Sequence, residues 1–483
     1  MYAESHLGHA RTYVSLDVIR RITKDYLGYN VILCQNVTDV DDKIIIRSSE
    51  RKIPFTELTA KYEAEFIEDM SILGVQHPDI VTRVSEYVPE VIAYIESLVE
   101  KGIAYSSNGS VYFNTVAFTE AGHVYGKLMP EQIGNSELLA EGEGSLTVND
   151  DKKNPSDFVL WKKTKDHTDD GVVEPSWPSP WGNGRPGWHI ECSVMSNNAL
   201  ESLGGNKGLD IHCGGTDLKF PHHENEIAQS EGYSGNHQWV NYFLHTGHLN
   251  IRGLKMAKSL KNFITIREAL EINTPRQIRF CFLLHKYNSP MDYGDGSLSQ
   301  AASIDKIFSE YFHNVKAVLR RYSNAKGVSG GKQHKGATEV VLYEVLETTK
   351  RNVRAALLDD FDTPRAVSHL LELMKECNRY LEGDVLNEYN LSTILINSAA
   401  SYITRILSMF GLVQDNQGSN IGFGSWVVVL CTKKELWWTA LTRRAGAIAR
   451  SNCFHHTWMC SQASVRRCVL LRLAMMRAVA RQF

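Results

Sequence analysis

His6-Leu7-Gly8-His9 sets two imidazoles three residues apart at the start of a helical pattern. Residues so spaced share a helix face. The glycine between them lets a nucleotide approach the backbone closely, and a helix N-terminus favours phosphate. Far along the chain, Lys255-Met256-Ala257-Lys258-Ser259 offers two ammonium groups, also three apart. Such a pair can hold a triphosphate and offset the charge that grows on a leaving pyrophosphate. Most lysine pairs are solvated basic turns. Both motifs together, in this order, argue for nucleotide chemistry.

Cys192 and the run Pro221-His222-His223-Glu224-Asn225-Glu226 suggest a metal. His222 and Glu226 are four apart and are expected on one helix that Pro221 starts. Cys192 brings a thiolate from another element. All three are good zinc ligands, and three protein ligands leave an open position, the catalytic arrangement. The bland alternative is a buried thiol near a hydrogen-bonded core histidine. The helix register and the Gly-rich approach Cys213-Gly214-Gly215-Thr216-Asp217 favour the metal. Trp188, four residues from Cys192, either caps a small apolar pocket or packs in the core; the residues leave both open.

These groups need elements to carry them. Val14, Val18, Ile19 and Ile22 predict a helix over 11–22. Val31-Ile32-Leu33-Cys34 predicts a buried strand. Its C-terminal end runs into Thr38-Asp39-Val40-Asp41-Asp42-Lys43, and ligand-facing polar groups sit at that end of strands in parallel α/β sheets. Residues 55–103 read as mostly helical, 105–160 as mixed, and Ser176 to Trp188 as an ordered loop. Residues 300–412 read as a separate helical domain, with an exposed loop from Lys326 to Gly336.

With 483 residues, two to four domains are expected. No run of eighteen apolar residues predicts a membrane span, and the N-terminus lacks the pattern of a secretory signal. Nine scattered cysteines, an odd number, fit a reducing cytoplasmic setting better than a disulfide framework. The net charge of −3 hides an asymmetry: from Ser425 on there are ten basic residues and one acidic, and the remainder carries 42 basic against 54 acidic. An acidic body must meet nucleic acid through a local basic surface.

The order His-x-Gly-His, Thr38 to Lys43, Gly184-Arg185-Pro186-Gly187-Trp188-His189-Ile190-Glu191-Cys192-Ser193, Phe220 to Glu226 and Lys-Met-x-Lys-Ser resembles cysteinyl-tRNA synthetases. The resemblance runs from about Tyr2 to about residue 420 and is nearest the eukaryotic cytosolic branch. It implies an α/β, Rossmann-type class I catalytic domain over 1–245, with a connective insertion at roughly 95–160. A stem-contact region over 246–300 and an all-α anticodon-binding domain over 301–420 would follow. It implies activation of cysteine by ATP, with Mg2+, to cysteinyl-adenylate, then transfer to tRNA(Cys). By the same resemblance His6, Gly8 and His9 bind ATP, and the two histidines stabilise the transition state. Lys255 and Lys258 neutralise phosphate, and Asp217 lies near the adenosine. Thr38 and Trp188 line the cysteine pocket, and Cys192, His222 and Glu226 hold Zn2+. A missing methylene in an apolar pocket is worth only about 1–3 kcal/mol, whereas a zinc–thiolate bond is a term that serine cannot match. An amino-sugar ligase on the same scaffold is the first rival, and 301–412 argues against it. A tRNA-binding product without catalysis is the second.

Three departures stand out. Only five residues precede His6, and about 3.3 Å per residue gives them a reach of some 16 Å. The family's first strand and its cysteine, the remaining protein zinc ligand, are therefore expected upstream, and the chain as written is expected to be inactive or unstable. Ala257 stands where serine is usual. Beyond Phe423 the chain, expected to be a foreign tail over 421–483, holds four of the nine cysteines and four of the nine tryptophans, which reads as a wrong reading frame.

Overall fold

The side chain of His6 closes the N-terminus of the first helix, α1 (Leu7–Arg21). His6 Nδ1 accepts from the Gly8 N–H at 3.1 Å, and His9 Nδ1 accepts from the His6 N–H at 3.3 Å. This reciprocal cap starts the helix ahead of the expected 11–22, because it satisfies N–H groups that have no partner within the helix. Leu7, Ala10, Val14 and Val18 form its buried face.

The computed structural model describes residues 2–143, 151–164, 174–204, 208–251, 253–256, 262–326, 336–384, 391–413 and 421–423. They fall in one compact unit, Met1–Trp426. Lys258 and the tail beyond Phe423 lie outside the described residues.

The strand expected over 31–34 forms later, as β1 (Cys34–Val37). The Leu33 N–H donates to Asp79 Oδ2, and its carbonyl accepts from Asp79 and Ile80, so regular pairing begins only after it. β2 (Ile80–Arg83) runs parallel to β1, from Cys34 opposite Ile80 to Val37 opposite Arg83. It interrupts the expected helical stretch, whose helices are Phe55–Ile72 and Val88–Glu100. An antiparallel sheet follows in chain order: β3 (Ala104–Ser107), β4 (Ser110–Phe113), β5 (Phe158–Lys163) and β6 (Gly184–Pro186). Val91, Ile95, Leu98, Phe113, Phe158 and Trp161 share its core.

The carboxylates between Thr38 and Lys43 fasten these parts together. Asp39 accepts from the backbone N–H and hydroxyl of Ser85, just beyond β2. Asp41 caps the helix Asp42–Arg51 by accepting from the Lys43 N–H at 2.8 Å. Asp42 is buried between Arg185 of β6, at 2.9 Å, and Lys162 of β5, at 3.3 Å. Buried charges of this kind persist only when paired.

Helix α2 (Trp188–Ser202) leads to β7 (Leu209–Gly215), then to α3 (Glu224–Ser234) and β8 (Val240–Thr246). β7 and β8 are parallel, from Leu209 opposite Val240 to Gly215 opposite Thr246. Among the described residues β1 pairs only with β2 and β7 only with β8, so these four strands make two separate parallel pairs.

Four long helices, Asp295–Lys326, Ala337–Leu358, Thr363–Asp384 and Thr393–Met409, form the expected helical block. It shares one apolar core with α1: Leu7, Val14, Ile278, Phe280, Phe308, Ile403 and Phe410 belong to it. Arg279 lies fully buried at this joint. It donates to Asp17 of α1 at 2.8 Å, to the Phe410 carbonyl at 2.7 Å and to the Leu73 carbonyl at 3.0 Å. Leu73 and Phe410 follow the last turns of Phe55–Ile72 and Thr393–Met409, where unpaired carbonyls favour a cation. Gly411, at φ +72°, is required here: a Cβ would lie 2.3 Å from the guanidinium. No helix among the described residues is long and apolar enough to cross a membrane.

Candidate active site

The two nucleotide motifs meet although some 250 residues separate them. Leu7 N–H donates to the Ile264 carbonyl at 3.0 Å, and Ile266 N–H donates to the Ser5 carbonyl at 3.1 Å. The segment just after the lysine motif therefore lies against the His6–His9 turn. The two imidazoles stack, with centroids 3.8 Å apart. Phe263 lies 6.3 Å from the His6 ring. Gly8 has no room for a side chain, since a Cβ would stand 2.9 Å from the His6 ring. Lys255 Nζ is 3.6 Å from Asp217 Oδ2, both half-exposed, so the structure brings these two predicted residues together. Asp217 follows Gly214-Gly215 at the C-terminal end of β7, where parallel sheets bind ligands.

Cys192, His222 and Glu226 also converge. Their ligand atoms all lie within 4.8 Å of one another. Cys192 comes from the second turn of α2. His222 belongs to a wide helical turn, Lys219–His223, that runs on without a break into α3 at Glu224, so His222 and Glu226 share the helix expected to start at Pro221. The one non-helical residue, Phe220 (φ −141°, ψ 134°), lies just ahead of Pro221 and marks where that helix begins. The four-residue spacing sets His222 Nε2 3.1 Å from Glu226 Oε1. Trp188 stacks on the His222 ring at 4.3 Å, so it caps the cluster rather than packing in the distant core. Thr38 lies just past β1, two residues beyond Asn36, whose amide donates to Cys192 Sγ at 3.3 Å.

Sequence reasoning missed much of the surrounding shell. His189 Nδ1 is 2.9 Å from His222 Nδ1, and His223 Nδ1 is 2.9 Å from His245 Nε2. His212 Nε2 lies 3.2 Å from Glu226 Oε2. His212, His223 and Glu226 make a second group with ligand atoms within 4.8 Å of one another, sharing Glu226 with the first. A Cβ on Gly214 would be 2.7 Å from the His223 ring, so the glycine lets that imidazole pack beneath β7. The signal available was the density of histidine: five of the eighteen fall between 189 and 245 in this one cluster.

Electrostatics fit a cation. Burial, then the carboxylates of Glu226 and Glu191, push the Cys192 thiol well up. Burial is also the main cause holding His189 and His223 well below the usual imidazole range, and it lowers His245 to about 4. Burial raises Glu226 most strongly in the other direction, yet His212 and His222 overcome it and keep the carboxyl ionised. The buried Glu226 Oε2 still has no well-formed hydrogen bond. A bound metal requires deprotonated ligands: Glu226 is already ionised, and a cation beside Cys192 would draw off its proton. The donor set of S, N and O suits zinc.

The tRNA synthetases class I (C) catalytic domain family matches residues 1–303, and the DALR domain matches 352–414. The chain is 50% identical over 429 residues to the cytoplasmic cysteine–tRNA ligase of Dictyostelium discoideum, covering 88% of this chain and 62% of that one. It is 36% identical over 527 residues to the cytoplasmic cysteine–tRNA ligase of Homo sapiens, covering 88% of this chain and 68% of that one. The methionyl-tRNA synthetase of Mycobacterium tuberculosis, in complex with methionyl-adenylate, shares the fold at 15% identity and a TM-score of 0.62, over 85% of this chain and 89% of that one. The chain belongs to the class I tRNA synthetases, in the (C) catalytic-domain family, with a Rossmann-like catalytic part and a helical DALR part behind it. It spans just under two thirds of the length of the Dictyostelium relative.

Proposed function

We propose that the chain is a cysteine–tRNA ligase of the cytoplasm. The observation that carries this reading is the Cys192–His222–Glu226 set capped by Trp188, in one unit with the His6–His9 turn and the lysine segment. In the reaction, the carboxylate of cysteine attacks the α-phosphorus of ATP and pyrophosphate leaves. A terminal ribose hydroxyl of tRNA(Cys) then takes the cysteinyl group, and AMP leaves.

His6 and His9, with Gly8 leaving the backbone open, bind Mg2+-ATP and donate to its phosphate oxygens. Lys255 and Lys258 offset the charge that develops on pyrophosphate. Asp217 lies beside the adenosine and holds Lys255 until nucleotide arrives. Thr38 and Trp188 form the walls of the cysteine pocket. Cys192, His222 and Glu226 would hold Zn2+, a soft Lewis acid that takes a thiolate far better than a hydroxyl. The working division is a catalytic body over 1–245 with its insertion, a stem-contact region over 246–300, and a helical block over 301–420 that reads tRNA. The match of the DALR domain to 352–414 supports tRNA over an amino sugar as acceptor.

Exchange of labelled pyrophosphate into ATP tests the reading. Cysteine should drive it and serine should not, and tRNA(Cys) should be charged. Exchange that is equal with and without cysteine, from protein that is folded, would sink it.

A further inference from the structure

Cys192 Sγ takes one hydrogen bond among the described residues, from the side-chain amide of Asn36 at 3.3 Å. Asn36 sits next to the C-terminal end of β1, and α2 brings Cys192 against it. Its side chain is exposed, so it forms no part of the packed core. A residue that neither packs nor caps, and that aims an N–H at a candidate metal ligand, has a chemical reason to be where it is.

We infer that Asn36 is a positioning residue for the metal thiolate: it donates N–H to Cys192 Sγ, fixing the sulfur and moderating its electron donation. This rests on the reading of Cys192, His222 and Glu226 as ligands. A thiolate has more lone pairs than one metal bond needs, and a donor on one of them directs another toward the ion. The hydrogen bond also draws density from sulfur, leaving the metal a better acceptor for the thiolate of an incoming cysteine. His222 has a matching support on its other side, from His189 at 2.9 Å. Both first ligands are thus oriented from outside, as metal ligands usually are. Glu226 is tied to His212 in the same way, through Oε1 at 3.3 Å. Without Asn36 the thiolate would be the one protein ligand lacking such a support.

Asn36→Leu keeps the size of the side chain and removes the donor; Asn36→Asp keeps the shape and turns an acceptor toward sulfur. Wild-type protein is first assayed for zinc. Each variant should lose zinc to a chelator about 10–100-fold faster than wild type, the usual size of an outer-shell effect. With Co2+ in place of zinc, the thiolate-to-cobalt charge-transfer band should move to lower energy in Asn36→Leu, because the sulfur becomes the stronger donor. The melting temperature in excess chelator should not change, which separates positioning from folding. In activation assays KM for cysteine should rise while KM for ATP holds. A Cys192→Ser background should abolish the Asn36 effect on metal release. Wild-type protein that binds no zinc overturns the metal site and this inference with it. Wild-type protein that binds zinc, with an unchanged cobalt band and release rate in both variants, overturns the role of Asn36 alone.

Discussion

Beneath the joint of α1 with the helical block, Arg279 and Asp17 are both deeply buried, and each is matched within the chain. Arg279 meets Asp17 and the carbonyls of Leu73 and Phe410, while Asp17 also takes Arg21 at 2.8 Å and the Gln76 N–H at 2.9 Å. Beneath Trp188, Glu226 is just as buried, yet its Oε2 has no well-formed hydrogen bond, and His212, His222 and His223 crowd around it. The first site is complete as folded. The second carries donors arranged for something that is not protein. Burial alone therefore does not separate architecture from function; what separates them is whether every polar atom is satisfied.

Removing one side of the complete site should have the largest effect. Arg279→Met breaks a buried ion pair, leaving Asp17 to Arg21 alone, and uncaps two helix ends, so urea unfolding should show a loss of about 3–5 kcal/mol. A loss under about 1 kcal/mol would mean that the joint contributes little. The incomplete site should behave differently. Zinc at one hundred times its Kd should raise the stability of the wild type by about 2.7 kcal/mol. Cys192→Ser should lose that increment while melting normally in chelator. If zinc stabilises both forms equally, Cys192 is not a ligand.

Acid should sharpen the contrast at Asp17. Burial raises its carboxyl, but Arg279 and then Arg21 more than reverse this, so it titrates below the usual carboxylate value. Its stabilisation is therefore present above about pH 4 and is lost as pH falls through the lower folded value. Asp17→Asn should cost about 2 kcal/mol near neutral pH, and the difference from wild type should shrink in acid. A difference independent of pH would exclude the ionic role. The smallest effect belongs to the half-exposed pair Lys255–Asp217. Asp217→Asn should move the unfolding free energy by less than about 1 kcal/mol, its effect appearing instead in pyrophosphate exchange. A larger shift in thermal unfolding would make the pair structural.

Local spacing is legible in the sequence itself. Gly8 between His6 and His9, and His222 four residues before Glu226, are relations that helical geometry enforces wherever the segment lies. The helical block is legible for the same reason, since its apolar period persists over helices such as the 32-residue Asp295–Lys326. Shorter elements are not. β2 has four residues, too few for a period to emerge, and it hides within a stretch expected to be helical. β1 begins late because Asp79, distant in sequence, takes the polar groups of Leu33 first. The paired carboxylates after Thr38 look ligand-facing, yet Asp41 caps a helix and Asp42 holds the antiparallel sheet through Lys162 and Arg185.

The sequence by itself determined which donors exist and how neighbours along a helix face one another: two imidazoles at a helix start, two lysines on one segment, a thiolate and a His/Glu pair. It did so because covalent geometry fixes the relation of residues three and four apart. Only the tertiary structure decided that Cys192 meets His222 and Glu226, that His189, His212, His223 and His245 surround them, and that Asn36 reaches the sulfur. Those meetings depend on how α2, α3, β1, β7 and β8 pack. Packing is set by apolar burial, which is non-directional, so it leaves no local spacing by which to read the result.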